Sequence, residues 1–239
     1  MTAVVLVPGL SGRPERDFWF LAPMLARTHQ VETVSFADPA EPSDPDALLA
    51  RIGDAVARSG ETPILVGYGL GAPAAVSYAA LHPLDVTGLV LVAGWLTPSL
   101  ALEHYAKVWR RLASKAPFAL PEVIAGYLYS ADGFATVREP ETGAHTDALL
   151  EWALHLDVSE HAALVQCPTL VIGCANDQVV STHQSKLLFG AIPDARYTEL
   201  RSGHAVVDER PAELLHLITG FTADPARYAP GTIVEEARP

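Results

Sequence analysis

The segment that most constrains the fold runs from Ile64 to Gly71 and precedes a stretch of small residues. It opens with Ile-Leu-Val, an apolar run without polar alternation, which predicts a strand buried on both faces of a sheet. Gly67, Gly69 and Gly71 follow at alternate positions. Glycines at this spacing let a helix approach a strand where a Cβ atom would clash. We therefore predict a strand, a tight turn and a helix.

Two functional interpretations fit this turn. In a nucleophile elbow, Gly-x-Ser-x-Gly holds the middle side chain in a strained, exposed conformation at the edge of the sheet. Here the middle residue is Gly69, which has no attacking atom. The same residues loosely match a dinucleotide-binding loop with Ala72 at the sixth position. Such a loop usually follows the first strand of its domain, whereas this turn follows the third predicted strand, so we favour the elbow.

Length and composition restrict the class of protein. A chain of 239 residues with 49% hydrophobic residues is sufficient for one domain with a sizeable core. The formal charge of −12 and the lack of a basic stripe make nucleic acid and anionic membranes poor partners. A strand-like run separates Cys167 from Cys174 too widely for a disulfide, so we expect free thiols, a reducing compartment and a cytoplasmic location. No leader or membrane span is predicted.

The order of predicted elements favours an α/β fold with a mostly parallel, doubly wound sheet. Strands and helices alternate to residue 94 and resume at residue 164, so we assign residues 1–94 and 164–225 to one core. Residues 95–163 have no strand pattern and are predicted to form a helical cap, with helices at Leu102–Ala113, Glu122–Tyr129 and Thr146–Asp157. Residues 226–239 are predicted to be a loosely held tail.

The predicted cap is rich in aromatic residues. Most should serve helix packing, but some are expected to line a pocket for a small apolar molecule. From these and the elbow region we select Ser11, Tyr68, Trp95, Trp109 and Tyr127 as candidate substrate contacts. The aromatic residues of residues 95–163 are Trp95, Tyr105, Trp109, Phe118, Tyr127, Tyr129, Phe134 and Trp152.

Taken together, these motifs resemble the α/β-hydrolase fold superfamily over about residues 3–221. The resemblance rests on the loop Pro8-Gly9-Leu10, the glycine elbow, the helical insertion, Asp177 after a strand, and Ser202-Gly203-His204. It implies an eight-stranded, mostly parallel sheet with an antiparallel second strand. It also implies that Gly69 occupies the nucleophile position, Asp177 that of the acid and His204 that of the base. The backbone amides of Leu10 and Leu70 would form the oxyanion hole.

Each of these residues also has a simpler interpretation. Asp177 could cap the following helix, and His204 could merely pack. Ser11 is the type of residue that forms turns, and Cys174 could be a small buried apolar side chain, so neither is a strong substitute for the missing nucleophile. The remaining histidines show no metal-binding spacing, and no cofactor is required.

Three functions remain open from the sequence. The first is an enzyme that acts on a small apolar carbonyl or ester-like substrate by acid–base and oxyanion chemistry without covalent catalysis, because glycine cannot attack a carbonyl. This class includes a lyase, an isomerase or cyclase, and direct hydrolysis by water. The second is a pseudoenzyme that binds a ligand or a protein. The third is a serine esterase whose nucleophile was replaced by glycine. The expected partner is a small molecule, and the oligomeric state is left open.

Overall fold

A computed structural model describes residues 2–37, 45–140 and 144–235 of the chain. The described residues contain one six-stranded sheet in which every pair of neighbouring strands is parallel, in the order β2-β1-β3-β4-β5-β6. This confirms the α/β fold class. The strands are β1 (Ala3–Val7), β2 (Gln30–Thr33), β3 (Ile64–Tyr68), β4 (Gly88–Val92), β5 (Thr169–Cys174) and β6 (Ala195–Leu200).

The expectation of eight strands with an antiparallel second strand was wrong. The described part of the chain has six strands and no antiparallel one. The second strand is parallel because two short helices, Pro14–Asp17 and Leu21–Leu25, form the crossover between β1 and β2. The six parallel strands carry the strand ends that matter for the site.

Helices cover both faces of the sheet. They are α1 (Pro14–Asp17), α2 (Leu21–Leu25), α3 (Pro45–Arg58), α4 (Gly71–Leu81), α9 (Thr182–Ala191), α10 (Val206–Glu209) and α11 (Pro211–Ala223). Alternate side chains of each central strand join opposite cores. Val5, Leu65 and Val171 pack on the α3–α4 side, whereas Val4, Val66 and Ile172 pack on the α2–α11 side. Full burial of each such side chain contributes roughly 1.5–3 kcal/mol, which explains the unbroken apolar runs.

The segment between β4 and β5 is helical. It contains α5 (Leu100–Lys115), α6 (Leu120–Leu128), α7 (Ala144–Ala153) and α8 (Ser159–Ala162), with short 3-10 helices at Pro117–Ala119 and Ala131–Thr136. The three predicted helices are therefore present, although α7 ends at Ala153 and not at Asp157. The side chain of Phe134 lies outside the described part of the chain.

The C-terminal segment follows the edge strand β6. Tyr197 donates its amide to the Thr232 carbonyl at 3.0 Å, and Val234 donates to the Tyr197 carbonyl at 2.7 Å. Gly231 donates to the Ala195 carbonyl at 2.8 Å. The sequence predicted a loosely held tail, and up to residue 235 the structure holds it by these bonds, which occupy part of an exposed sheet edge. Residues 236–239 of the predicted tail lie outside the described residues.

The two cysteines are buried free thiols. Burial raises the pKa of Cys167 to about 11 and that of Cys174 further still. No helix in the described ranges is long and apolar enough to cross a membrane.

The glycine turn supplies a stability prediction. A Cβ atom at Gly71 would overlap the carbonyl oxygen of Val7, so Gly71→Ala should destabilise the protein by about 3 kcal/mol. In the matched control, Gly126→Ala, the new methyl group meets no heavy atom within 4 Å and should stabilise helix α6 by about 0.5–1 kcal/mol. Urea unfolding measures both. Equal effects of the two substitutions would contradict the close approach at Gly71.

Candidate active site

The tight turn after β3 has elbow geometry. Gly69 has φ = +53°, in the left-handed region, and its amide donates to the Val92 carbonyl at 2.9 Å. Helix α4 starts two residues later, at Gly71. A Cβ atom at Gly67 would overlap the Gly71 carbonyl, and one at Gly71 would overlap that of Val7. The two outer glycines therefore permit the close contact of β1, β3 and α4, and the middle glycine lies at the carboxyl ends of these strands.

His204 and Asp177 form a buried pair beside the turn. Asp177 follows β5, His204 follows β6, and Nδ1 of His204 lies 2.7 Å from Oδ2 of Asp177. Because a carboxylate can only accept a hydrogen bond, Nδ1 carries the proton and Nε2 is the free acceptor. The other oxygen, Oδ1, accepts from the amides of Val179 at 2.8 Å and Val180 at 2.7 Å. These hydrogen bonds leave little rotational freedom to the Asp177 carboxylate and fix the orientation of the imidazole.

The alternative roles of these two residues can be compared with the geometry. Ser181, and not Asp177, is the N-cap residue of α9. The side chain of Asp177 instead closes the turn before that helix and contacts the imidazole. His204 packs beside Tyr68, with ring centroids 5.4 Å apart, and the Tyr68 hydroxyl donates to the His204 carbonyl at 3.0 Å. Tyr68 therefore holds the backbone that carries the histidine.

Nε2 of His204 faces the position that a side chain on Gly69 would occupy. An ideal Cβ atom at Gly69 would lie 3.2 Å from Nε2, and the next nearest atoms would be Cε1 of His204 at 3.6 Å and the Gly9 Cα at 3.7 Å. A side chain at residue 69 would therefore point toward Nε2 of His204. Because residue 69 has no side chain, none occupies this place beside Nε2, and a water molecule could bond to that nitrogen at a point clear of the Gly69 backbone.

Two backbone amides lie in the adjoining turns. Among the described residues, the amides of Leu10 and Leu70 donate to no protein acceptor. The neighbouring amide of Gly9 is occupied, because it donates to Oδ2 of Asp17 at 2.7 Å. Asp17 thereby anchors the loop that presents Leu10. Unpaired amides at a helix start and in such a loop are suited to bind a developing oxyanion.

A cavity of about 60 Å³ lies at this point. Three of the five predicted substrate contacts line it, Ser11, Tyr68 and Trp109. Leu10 and His204 also line it, whereas Gly69, Leu70 and Asp177 are not among its lining residues. The other two predicted contacts, Trp95 and Tyr127, are not among its lining residues either. Trp95 is buried and donates its indole N–H to the Leu156 carbonyl at 3.1 Å, whereas Tyr127 packs edge-on against Tyr105. Further lining residues, which the sequence did not assign to the site, include Asp17, Tyr105, Ile124, Tyr129, Thr146 and Asp208.

One wall of this cavity is polar. Asp208 pairs with Arg16 at 3.1 Å and accepts from the Tyr129 hydroxyl at 2.5 Å. Burial and the Asp208 carboxylate raise the pKa of Tyr129 to about 12, so Tyr129 remains the donor. Oγ1 of Thr146 is buried with no partner among the described residues. Such groups are spread over distant parts of the sequence, and only the fold brings them together.

Asp17 is the most perturbed acid of this wall. Burial raises its pKa to about 6, while the hydrogen bond from the Gly9 amide and the charge of Arg16 act in the opposite direction. Its neutral and ionised forms therefore exchange near neutral pH, which is unusual for an aspartate.

The two substitutes for a nucleophile that the sequence offers, Ser11 and Cys174, are occupied or inert. The Ser11 hydroxyl closes its own turn, donating to the Arg13 carbonyl at 3.2 Å and accepting from the Arg13 amide at 3.0 Å. Burial raises the pKa of Cys174, which disfavours the reactive thiolate. Within residues 2–37, 45–140 and 144–235, no cluster of three His, Cys, Asp or Glu side chains is placed to hold a metal ion.

The titration of Asp17 gives a pH-dependent prediction. A raised acid pKa means that the folded state binds the proton more tightly than the unfolded state between about pH 4 and pH 6. The carboxyl group therefore lowers stability as pH rises through that window, by about 3 kcal/mol at most for a shift of about two pKa units. In Asp17→Asn, the new amide oxygen could still accept from Gly9. We expect the stability of Asp17→Asn relative to the native chain to increase from pH 4 to pH 7.

Urea unfolding at several pH values provides the measurement. The exposed Asp54→Asn is the control for removing a surface carboxylate from the same chain. A difference between Asp17→Asn and the native protein that is constant over pH 4–7 would contradict the assignment.

Comparison with known proteins places this geometry in a family. The model of the alpha/beta hydrolase family matches residues 4–217. Pyrrolizixenacetamide deacetylase of Xenorhabdus hominickii is 28% identical over 238 residues, which covers 91% of this chain and 90% of that protein. RutD of Escherichia coli O157:H7 (strain EC4115 / EHEC), named as a proposed carbamate hydrolase, is 31% identical over 229 residues, or 84% of each chain. The crystal structure of MGS-M2, an alpha/beta hydrolase from a Medee basin deep-sea metagenome library, superposes with a TM-score of 0.82 at 17% identity, covering 93% of this chain and 90% of that one. The chain belongs to the alpha/beta hydrolase family.

Proposed function

We propose that this protein hydrolyses a small carbonyl compound, an ester, amide or carbamate, by direct attack of water activated by His204. The observation that carries the proposal is that Nε2 of His204, which Asp177 orients, faces residue 69, where no side chain is present. A water molecule bound to Nε2, clear of the Gly69 backbone, would take the role of the serine hydroxyl in a triad. The chemistry then needs no covalent intermediate.

In this reaction His204 acts first as a general base toward water and then as a general acid toward the leaving group. Nε2 of His204 takes a proton from the water as the water oxygen bonds to the carbonyl carbon, and the carbonyl electron pair moves onto its oxygen. Asp177 stabilises the imidazolium that forms. The amides of Leu10 and Leu70 bind the oxyanion. Collapse re-forms the carbonyl, breaks the bond to the leaving group and returns the proton from His204 to that group, giving an acid and an alcohol or amine.

The size of the cavity supports a small acyl group. A volume of about 60 Å³ is well below the roughly 300–1,000 Å³ of common small-molecule sites, which favours a short acyl group. Tyr105, Trp109 and Ile124 supply an apolar side to the cavity. The names of two relatives, a deacetylase and a proposed carbamate hydrolase, are in line with acetyl or carbamoyl groups.

The polar wall of the cavity narrows the class of natural substrates. Asp17 lines the cavity, and its carboxyl group can accept a hydrogen bond, so an amide or carbamate N–H is better matched than a purely hydrocarbon group. We therefore place acetamides and carbamates before simple alkyl esters among natural substrates.

The direct test uses three substitutions and p-nitrophenyl acetate, a small activated ester. The native chain should hydrolyse it above the background rate. Gly69→Ala should lower kcat/KM by about 100-fold or more because its methyl group, 3.2 Å from Nε2 of His204, would hinder a water molecule from bonding to that nitrogen. His204→Gln should cause a similar loss because the amide cannot act as the base.

Gly69→Ser is the matched control for Gly69→Ala. Both substitutions place a side chain at φ = +53°, so both carry the same backbone strain of about 1–2 kcal/mol. The serine variant should exceed the alanine variant in activity, because its hydroxyl lies beside His204. Circular dichroism checks that each variant is folded. A native chain without activity on acetyl esters, acetamides and carbamates would refute the proposal and favour a ligand-binding pseudoenzyme.

A further inference from the structure

The loop that carries His204 is in direct contact with the helical segment between β4 and β5. The amide of Ala205 donates to the carbonyl of Leu128, the last residue of α6, at 2.8 Å. A Cβ atom at Gly203 would lie 2.5 Å from that same carbonyl oxygen and 2.6 Å from the backbone nitrogen of Ser130. The glycine before His204 therefore permits a close approach that a side chain would prevent.

One carboxylate joins the same two segments. Glu209 ends α10, and its Oε1 accepts from the amide of Gly203 at 3.0 Å and from the amide of Ser130 at 2.8 Å. Its Oε2 accepts from the hydroxyl of Ser130 at 2.5 Å. Hydrogen bonds to an ionised acceptor are roughly twice as strong as those between neutral groups. Glu209 therefore binds both the residue before His204 and the chain that leaves α6.

The peptide groups next to His204 each have a fixed partner. The amide of the preceding residue bonds to Glu209, and the amide of the following residue bonds to Leu128. The carbonyl of His204 itself accepts from the Tyr68 hydroxyl at 3.0 Å. Two of these three partners connect the histidine to the helical segment, Leu128 directly and Glu209 through Ser130. Displacement of that segment would therefore displace the imidazole.

A packing contact limits where the Glu209 carboxyl group can lie. A Cβ atom at Gly133 would lie 2.3 Å from Cδ of Glu209. Ser130 is the N-cap residue of the 3-10 helix that contains Gly133, and its Oγ accepts from the Gly133 amide at 3.1 Å. The same hydroxyl donates to Glu209. The carboxyl group fits against this helix because residue 133 has no side chain.

We propose that Glu209 is a positioning residue, which fixes His204 by joining its loop to the end of α6. The helical segment also supplies Tyr105, Trp109 and Ile124 to the active-site cavity. Through Glu209, the segment that would contact the acyl group and the base that would activate water are held in one arrangement. The catalytic consequence rests on the hydrolysis proposed above, whereas the link between the two segments does not.

Amide hydrogen exchange followed by NMR tests the link without a substrate. The informative amide is that of Ala205, because its acceptor, the Leu128 carbonyl, is untouched by a change at residue 209. Glu209→Ala should speed exchange at Ala205 by about tenfold or more relative to Leu89, whose amide donates to the Pro168 carbonyl. Glu209→Gln keeps an oxygen for both amides and should stay within about threefold of the native chain.

A second variant displaces the carboxyl group and leaves its charge in place. Gly133→Ala puts a methyl group where Cδ of Glu209 lies, and the protein should still fold because the end of that side chain can move aside. This variant should also speed exchange at Ala205 relative to Leu89. Gly126→Ala, in α6 of the same segment, is the matched control, because its methyl group meets no heavy atom within 4 Å. It should speed exchange at neither amide.

Hydrolysis of p-nitrophenyl acetate tests the catalytic consequence. Glu209→Ala should lower kcat/KM by about tenfold or more, because a displaced imidazole no longer faces residue 69. Glu209→Gln should recover most of the native value, since its amide oxygen can accept from the amides of Gly203 and Ser130. Gly126→Ala should hydrolyse the ester as the native chain does.

The outcomes separate the link from the reaction. Equal exchange at Ala205 in Glu209→Ala and the native chain, or equal acceleration at Ala205 and Leu89, overturns the link. Native kcat/KM in Glu209→Ala, together with faster exchange at Ala205, overturns the positioning role. A native chain without hydrolytic activity refutes the proposed hydrolysis, and the exchange rates then decide the link alone.

Discussion

The close contact between β1, β3 and the start of α4 is the constraint on which the site depends. Two carbonyl groups, those of Val7 and Gly71, lie where Cβ atoms would stand at Gly71 and Gly67. The contact forces Gly69 into the left-handed region at the carboxyl ends of the strands. Since β5 and β6 are parallel to β3, the residues that follow them reach the same edge, and this brings Asp177 and His204 to the turn.

Hydrogen bonds to two carboxylates hold the residues around this turn in place. One oxygen of Asp177 accepts from two turn amides and the other contacts Nδ1 of His204, so Asp177 fixes both its own loop and the proton on Nδ1. The buried Asp17 likewise fixes the loop of Leu10, because its carboxylate accepts a hydrogen bond from the Gly9 amide. None of these hydrogen bonds needs a side chain at residue 69, so Asp177, His204 and the loop of Leu10 keep their positions without one.

The sequence predicted those parts of the site that depend on local motifs and chain order. The glycine turn, Asp177 and His204 follow directly after strands, so their meeting at one edge could be inferred from a parallel sheet. The side-chain lining could not be inferred, because it depends on how helices pack. Trp95 faces the core and Tyr127 packs on Tyr105, whereas Tyr129, Thr146 and Asp17 reach the cavity. The eight-stranded expectation, which came from the family resemblance, was wrong, because the described residues form a sheet of six parallel strands.

In the proposed mechanism water, and not a side chain of the protein, attacks the carbonyl group, so no acyl-enzyme forms. Mass spectrometry of the intact chain, quenched with acid during turnover of an acetyl ester, distinguishes the two routes. We expect the native chain to stay unmodified while product accumulates, and Gly69→Ser, run beside it, to show that an acetyl adduct can be detected. An acetylated native chain that forms and decays at the rate of turnover would show that a side chain attacks.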